Sequence, residues 1–124
     1  MPVALAVVFG GGLGSLARYG LDSLLEHRVD SLFPWATFAI NVTGCFLNGL
    51  LVAVVVDSLG APAWVSRGLI IGFLGAYTTF STFGAETYEL TEIGHWGLAV
   101  ANVVLSAAAG IAAAALGQRL GRIS

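Results

Sequence analysis

Residues 72–84 read Gly72-Phe73-Leu74-Gly75-Ala76-Tyr77-Thr78-Thr79-Phe80-Ser81-Thr82-Phe83-Gly84 and lie within a long apolar segment. Three glycines and four serine or threonine residues occupy these thirteen positions. Glycine loosens a helix, and Ser and Thr side chains offer the backbone alternative hydrogen bonds. In a bilayer, non-helical backbone is tolerated only where protein buries it or where it lines a polar cavity. The stretch therefore predicts a broken helix at membrane depth, whose freed carbonyl groups can hold an ion.

The composition of the chain indicates a membrane protein. Of its 124 residues, 57% are hydrophobic and 10% are charged, with a mean hydropathy of +0.90. A soluble domain has about a quarter of its residues charged, and a transmembrane helix needs about 20 mostly apolar residues. We predict an all-α membrane protein with a single four-helix transmembrane domain over residues 1–124, with spans at about 3–25, 34–56, 63–88 and 98–116. A net charge of −2 without a basic patch argues against nucleic acid as a partner.

The first span contains a glycine-rich run, Gly10-Gly11-Gly12-Leu13-Gly14-Ser15. Gly10 and Gly14 form a small-xxx-small pair, which predicts close approach of another helix. A dinucleotide-binding fingerprint is the alternative, but its third glycine falls on Ser15 and the segment is too apolar for a strand–turn–helix unit. Arg18 follows within the span. It either snorkels to the interface or faces inward, where it attracts anions.

Polar residues in the second and fourth spans allow two interpretations. Asn41 and Gly44 share a helix face in span two, and Asn102, Ser106 and Gly110 share one in span four. Buried amide and hydroxyl groups in a membrane need partners, so these residues either bond neighbouring helices together or line a path for an ion. The pattern alone leaves both interpretations open.

Two aromatic residues follow the glycine-rich part of the third span. Phe80 and Phe83 are three positions apart and share a helix face, with Ser81 and Thr82 between them. Ordinary apolar packing is one interpretation. The other is that the positive ring edges face an anion. Glu86 is the carboxylate nearest the membrane at the end of this span, and we expect that helix end to face water.

The arginines specify orientation only weakly. With four spans, both termini and the turn between spans two and three lie on one side, which holds Arg67, Arg119 and Arg122. The other side holds Arg18 and Arg28. Because the positive-inside rule then gives little preference, the chain can insert in either direction. Two copies in opposite orientations form an inverted repeat, the architecture on which many transport sites are built.

Three stretches carry a family resemblance: Gly11-Gly12-Leu13-Gly14-Ser15-Leu16-Ala17-Arg18-Tyr19, Pro34-Trp35-Ala36-Thr37-Phe38-Ala39-Ile40-Asn41-Val42-Thr43-Gly44, and Gly72-Phe73-Leu74-Gly75 with Thr78-Thr79-Phe80-Ser81-Thr82-Phe83. Together they resemble the CrcB/Fluc fluoride channel family over nearly the whole chain. The resemblance implies a dual-topology antiparallel homodimer with two pores in the cytoplasmic membrane of a prokaryote. It also implies passive, fluoride-selective export that lowers cytoplasmic fluoride toxicity.

The resemblance also implies roles for individual residues. The carbonyl groups of Gly75 and Thr78 would bind a structural Na⁺ at the dimer axis. Asn102 stands where the family has a tyrosine, and Gly110 where a further hydroxyl often lies. The residues implied to line the fluoride pore are Asn41, Phe80, Phe83, Ser81, Thr82, Ser106, Asn102, Arg18 and Glu86.

Two other classes of protein compete with a fluoride channel. A four-span multidrug transporter needs a membrane-buried carboxylate for proton exchange, whereas Asp22, Glu26 and Glu86 lie near span ends. A structural subunit of a larger complex fits the glycine pairs equally well. The sequence contains no acyl-transfer, metal or phosphate-loop motif, so we expect no enzyme activity.

Overall fold

The structure is a computed structural model and describes residues 1–123. Within these residues it is all helical, without a strand, and its elements are α1 (Val3–Arg28), α2 (Trp35–Leu51) continued by a π-helical segment (Val52–Ser58), α3 (Ala63–Arg67) continued by a π-helical segment (Gly68–Leu74), α4 (Gly75–Tyr77), α5 (Phe80–Glu92) and α6 (Trp96–Ile123). Four helical segments are long and apolar enough to cross a membrane: Val3–Arg28, Trp35–Ser58, Ala63–Glu92 and Trp96–Ile123. The prediction of an all-α fold is confirmed, and the four predicted spans correspond to four helices long and apolar enough to cross a membrane.

Proline and glycine mark the ends of the helices. Pro34 and Pro62 directly precede α2 and α3. Proline suits the start of a helix because its φ is preset and because the N–H groups there have no partner within the helix, so its missing N–H costs no hydrogen bond. Gly60 and Gly94 have positive φ values of 55° and 86° in the connecting turns. A residue with a Cβ atom is strained in that conformation, so glycine allows the short reversals between spans.

Helix α1 packs closely against the third helical segment through glycines. A Cβ atom at Gly10 would overlap the carbonyl oxygen of Gly68, and one at Gly14 would overlap that of Phe73. On the facing helix, a Cβ atom at Gly72 would come within 2.7 Å of the Val7 carbonyl oxygen. The small-xxx-small prediction for Gly10 and Gly14 is therefore confirmed: backbone meets backbone where a side chain has no room.

Helices α2 and α6 use the same kind of contact. A Cβ atom at Gly49 would overlap the Ala114 carbonyl oxygen, and one at Gly117 would overlap that of Phe46. Lipid tails are as apolar as the helix surfaces, so close packing rather than the hydrophobic effect holds membrane helices together. Glycine contacts therefore hold α1 against the third segment and α2 against α6.

A small apolar cluster and one polar pair lie where these elements meet. Ile40, Leu74 and Tyr77 form the buried cluster. The Tyr77 hydroxyl lies 2.8 Å from Thr43 Oγ1, which also lies 2.7 Å from the Ala39 carbonyl oxygen. A carbonyl can only accept, so Thr43 donates to Ala39 and Tyr77 donates to Thr43. This pair ties the end of α4 to α2.

The glycine contact of α1 leads to a first prediction. Gly14→Ala should lower the thermal stability of the purified protein, because overpacking a well-packed site costs about 1–3 kcal/mol. Gly12→Ala, on the same helix, is the matched control because no atom lies within 4 Å of a Cβ atom there. Melting temperatures in detergent measure both. Equal melting temperatures for the two variants would contradict the packing described here.

Candidate functional site

Two consecutive threonines in the third helical segment have a non-helical backbone. Helix α4 ends at Tyr77, and α5 begins at Phe80. Between them Thr78 has φ −80° and ψ 157°, and Thr79 has φ −145° and ψ 115°, both extended conformations. Extended residues cannot continue the regular hydrogen bonds of a helix. The backbone polar groups on either side of Thr78 and Thr79 therefore need other partners.

Asn41 of α2 supplies partners for both backbone groups of Thr79. Its Nδ2 donates to the Thr79 carbonyl oxygen at 3.0 Å, and the Thr79 N–H donates to its Oδ1 at 2.8 Å. A primary amide is suited to this exchange, because it carries a donor and an acceptor side by side. Asn41 thus joins α2 to the third helical segment. The second N–H of its Nδ2 group takes no part in these two hydrogen bonds.

The Thr79 side chain caps α5. The Thr82 N–H donates to Thr79 Oγ1 at 3.2 Å, and the two hydroxyl groups lie 3.1 Å apart. Threonine is a favoured residue at this position because its oxygen satisfies an N–H group that has no partner within the helix. The cap therefore lets a new helix begin immediately after the extended residues.

These two interactions remove the usual donors of two carbonyl groups. In a continuous helix the Thr79 N–H bonds to the Gly75 carbonyl, and the Thr82 N–H bonds to the Thr78 carbonyl. Here Thr79 donates to Asn41 and Thr82 donates to Thr79. Gly75 and Thr78, the residues predicted to bind Na⁺, are therefore among those whose carbonyl groups lose their helical partners.

Phe80 is the most exposed phenylalanine of the site. It is 84% exposed at the first position of α5. Its ring centroid lies 5.7 Å from that of Phe83, at an interplanar angle of 44°. Ser81 is exposed, and Thr82 and Phe83 are half-buried. The first turn of α5 thus presents two rings together with hydroxyl groups.

A groove of about 290 Å³ adjoins the extended residues. Its lining residues include Asn41, Asn48, Gly75, Thr78 and Phe80. The groove therefore brings together two residues implied to line the pore, Asn41 and Phe80, and the two residues implied to bind Na⁺. Asn48, which lies two turns after Asn41 on the same helix, joins them.

Glu86 lies one turn after Thr82 and contacts α2. The buried Thr37 donates a hydrogen bond from its Oγ1 to the Glu86 carboxylate. Glu86 and Glu89 also line a second cavity of about 290 Å³ near the loop before α2. Glu86 is half-buried, so it differs from the simply water-facing residue that the sequence suggested.

Asn102 joins α6 to α5, and Ser106 bonds to Asn102 within α6. Asn102 is only 1% exposed. Its Nδ2 donates to Thr87 Oγ1 at 2.9 Å, and its Oδ1 accepts from Ser106 Oγ at 3.1 Å. Both residues were predicted to line an ion path. The structure places Asn102 between the helices and leaves Ser106 half-buried.

Not all predicted residues come together. Arg18 is half-buried on α1 and belongs to the lining of neither cavity described above. Sequence reasoning gave no role to Thr37 and Thr87, the partners of Glu86 and Asn102. Thr37 lies four residues before Asn41, and Thr87 lies four after Phe83, so helical spacing from a chosen residue is the signal that could have found them.

Comparisons with known proteins place the chain in a family. The family model described as "CrcB-like protein, Camphor Resistance (CrcB)" matches residues 5–118. A protein of Coxiella burnetii named fluoride-specific ion channel FluC is 43% identical over 119 residues, which are 95% of this chain and 96% of that protein.

Further relatives carry the same name. The protein of Saccharophagus degradans is 46% identical over 121 residues, covering 94% of this chain and 90% of the relative. That of Acidobacterium capsulatum is 47% identical over 118 residues, covering 94% of each chain. These are names of ion channels, in agreement with the expectation that the chain is not an enzyme. With a match over most of its length, the chain belongs to the CrcB-like family, together with proteins named fluoride-specific ion channel FluC.

Proposed function

We propose that this protein is a fluoride-selective channel that passively exports fluoride across the cytoplasmic membrane of a prokaryote and so lowers cytoplasmic fluoride toxicity. The names of its relatives support the substrate. The observation that carries the proposal is the 84% exposed Phe80 beside the groove at Thr78 and Thr79. An exposed ring next to unpaired polar backbone suits a path for a small ion.

The chemistry of the site suits a permeating anion. A channel must bind its ion strongly enough to replace water but weakly enough to release it. Ring edges of Phe80 and Phe83, the second N–H of Asn41, and the hydroxyl groups of Ser81 and Thr82 are neutral groups of partial positive charge. An ion bound by such groups leaves more readily than one held by a buried cation.

In the proposed path, Ser106 continues the line of hydroxyl groups along α6. Glu86 and Arg18 lie toward the ends of their spans, where water reaches the path. Arg18 attracts the anion, and the Glu86 carboxylate, held by Thr37, repels it.

The proposed assembly is an antiparallel homodimer with two pores. The single chain leaves the groove and Phe80 uncovered, and a second copy in the opposite orientation would cover them. The arginines support such a dual topology, since three lie on one side and two on the other. The extended residues of the broken third helix would then meet near the dimer axis.

The proposed cofactor is a structural Na⁺ at that axis. The carbonyl groups of Gly75 and Thr78 have lost their helical donors, because Thr79 and Thr82 donate elsewhere. Neutral carbonyl oxygens are suitable ligands for an alkali cation. Two such groups from each chain would surround the ion, which supplies positive charge between the subunits and stabilises the dimer.

Fluoride efflux from liposomes tests the function. Vesicles carrying only this protein should release fluoride and retain chloride. Phe80→Ile removes the ring edge that faces the ion and should slow fluoride efflux about tenfold. A slowing of that size corresponds to a rise of about 1.36 kcal/mol in the barrier. Phe9→Ile is the matched control, because Phe9 is also exposed, at 61%, but lies on α1 away from the groove.

A fluoride-selective electrode measures this efflux. Absence of fluoride release by correctly folded wild-type dimers would refute the channel and favour a structural subunit. Equal efflux rates for wild type and Phe80→Ile would be consistent with a channel but would show that Phe80 does not line its pore.

Replacement of Na⁺ tests the cofactor. Exchange of all Na⁺ for N-methylglucamine, a cation too large for a carbonyl site, should reduce both the dimer fraction and fluoride efflux. Crosslinking in the membrane measures the dimers, and the electrode measures efflux on the same sample. Unchanged values of both in Na⁺-free buffer would show that Gly75 and Thr78 hold no required cation.

A further inference from the structure

A chain of hydrogen bonds runs from α6 to the backbone of α5. Ser106 Oγ bonds to Asn102 Oδ1 at 3.1 Å, and Asn102 Nδ2 bonds to Thr87 Oγ1 at 2.9 Å. Thr87 Oγ1 bonds in turn to the Phe83 carbonyl oxygen at 2.7 Å. The chain therefore begins at a predicted pore hydroxyl and ends at the residue that carries one of the two pore rings.

The carbonyl at the end of the chain determines the position of every hydrogen. The Phe83 carbonyl can only accept, so the Thr87 hydroxyl must donate to it. Thr87 has no second hydrogen and therefore accepts from Asn102, which turns the Nδ2 group of the amide toward Thr87. The Oδ1 atom consequently faces Ser106, and the Ser106 hydroxyl must donate to it. All three hydrogen bonds therefore donate in the same direction, from Ser106 toward Phe83.

This direction determines what Ser106 offers to an ion. A serine hydroxyl has one hydrogen, and Asn102 holds it. The remaining side of Ser106 Oγ carries lone pairs, which repel an anion. For Ser106 to donate to fluoride, its hydroxyl must rotate away from Asn102 and give up that hydrogen bond. Burial of Asn102, at 1% exposure, keeps water from replacing it.

We propose that Asn102 is a positioning residue that weakens fluoride binding at Ser106 by competing for the Ser106 hydroxyl hydrogen. The inference rests on the proposed channel function. It adds a physical reason why fluoride binds only weakly at Ser106 on α6. Asn102 acts through Ser106 and does not itself touch the ion. Competition of this kind favours rapid release, which a channel requires of each site.

Substitution of Asn102 tests the competition. Asn102→Leu keeps a similar volume and removes the acceptor, so Ser106 becomes free to donate to fluoride. The half-saturating fluoride concentration of efflux should fall about two- to tenfold, the range expected for release of one hydrogen bond. A rise or no change in that concentration, in folded dimers, would overturn the proposal.

Substitution of Thr87 gives an independent test that avoids Asn102. In Thr87→Val the amide loses the hydroxyl that orients it, so it can turn and donate to Ser106, releasing the Ser106 hydrogen. The half-saturating concentration should fall in the same direction. Thr91→Val is the matched control: Thr91 lies one turn later on α5, and its hydroxyl bonds to the Tyr88 carbonyl oxygen. An effect of Thr91→Val equal to that of Thr87→Val would count against the proposal.

The Ser106→Ala background separates positioning from a general structural effect. If Asn102 acts through Ser106, Asn102→Leu and Thr87→Val should have no effect on half-saturation once Ser106 is alanine. Effects that persist in this background would overturn the proposal while leaving the channel intact. Absence of fluoride efflux from the wild type would instead refute the channel function, so the two failures are distinguishable.

Discussion

Backbone polar groups in a bilayer have no water to bond with, and this constraint governs the third helical segment. Thr78 and Thr79 are extended, so the regular hydrogen bonds of the helix stop there. Asn41 supplies one donor and one acceptor to Thr79, and the Thr79 side chain caps the next helix. Without these partners, each backbone group left unbonded in the bilayer would cost several kcal/mol. One amide on α2 therefore maintains the irregular backbone around which the candidate site is built.

The features proposed to serve ion conduction follow from that arrangement. Redirected N–H groups leave the Gly75 and Thr78 carbonyls without their helical donors, and the new helix begins with the exposed ring of Phe80. Glycine contacts keep this geometry in place, because they bring α1 into backbone contact with the segment just before the extended residues. The polar groups of the site thus depend on close packing elsewhere, which lets a small protein hold an irregular backbone within a membrane.

Much of the fold could be predicted from local patterns. Hydropathy and length located four spans, and the spacing of Gly10 and Gly14 indicated a close helix contact that the structure contains. The site was harder to predict from the sequence, because Asn41 and Asn102 have the same residue type and a similar position within their spans. Asn41 bonds to backbone and lines a groove, whereas Asn102 is buried between two side chains. Spacing identifies the face on which a residue lies but does not identify the group opposite it.

Local sequence properties make the chain helical, give it four segments apolar enough to span a membrane, and make residues 72–84 a weak helix. These properties depend on hydropathy, glycine content and local propensity, which act over one or two helical turns. Which polar groups pair across helices depends instead on the tertiary packing. Thr37 with Glu86, Tyr77 with Thr43, and Asn102 with Thr87 are the resulting pairs. A hydrogen bond requires two atoms about 3 Å apart in a suitable direction. Between helices, only the packing of the whole chain establishes that distance.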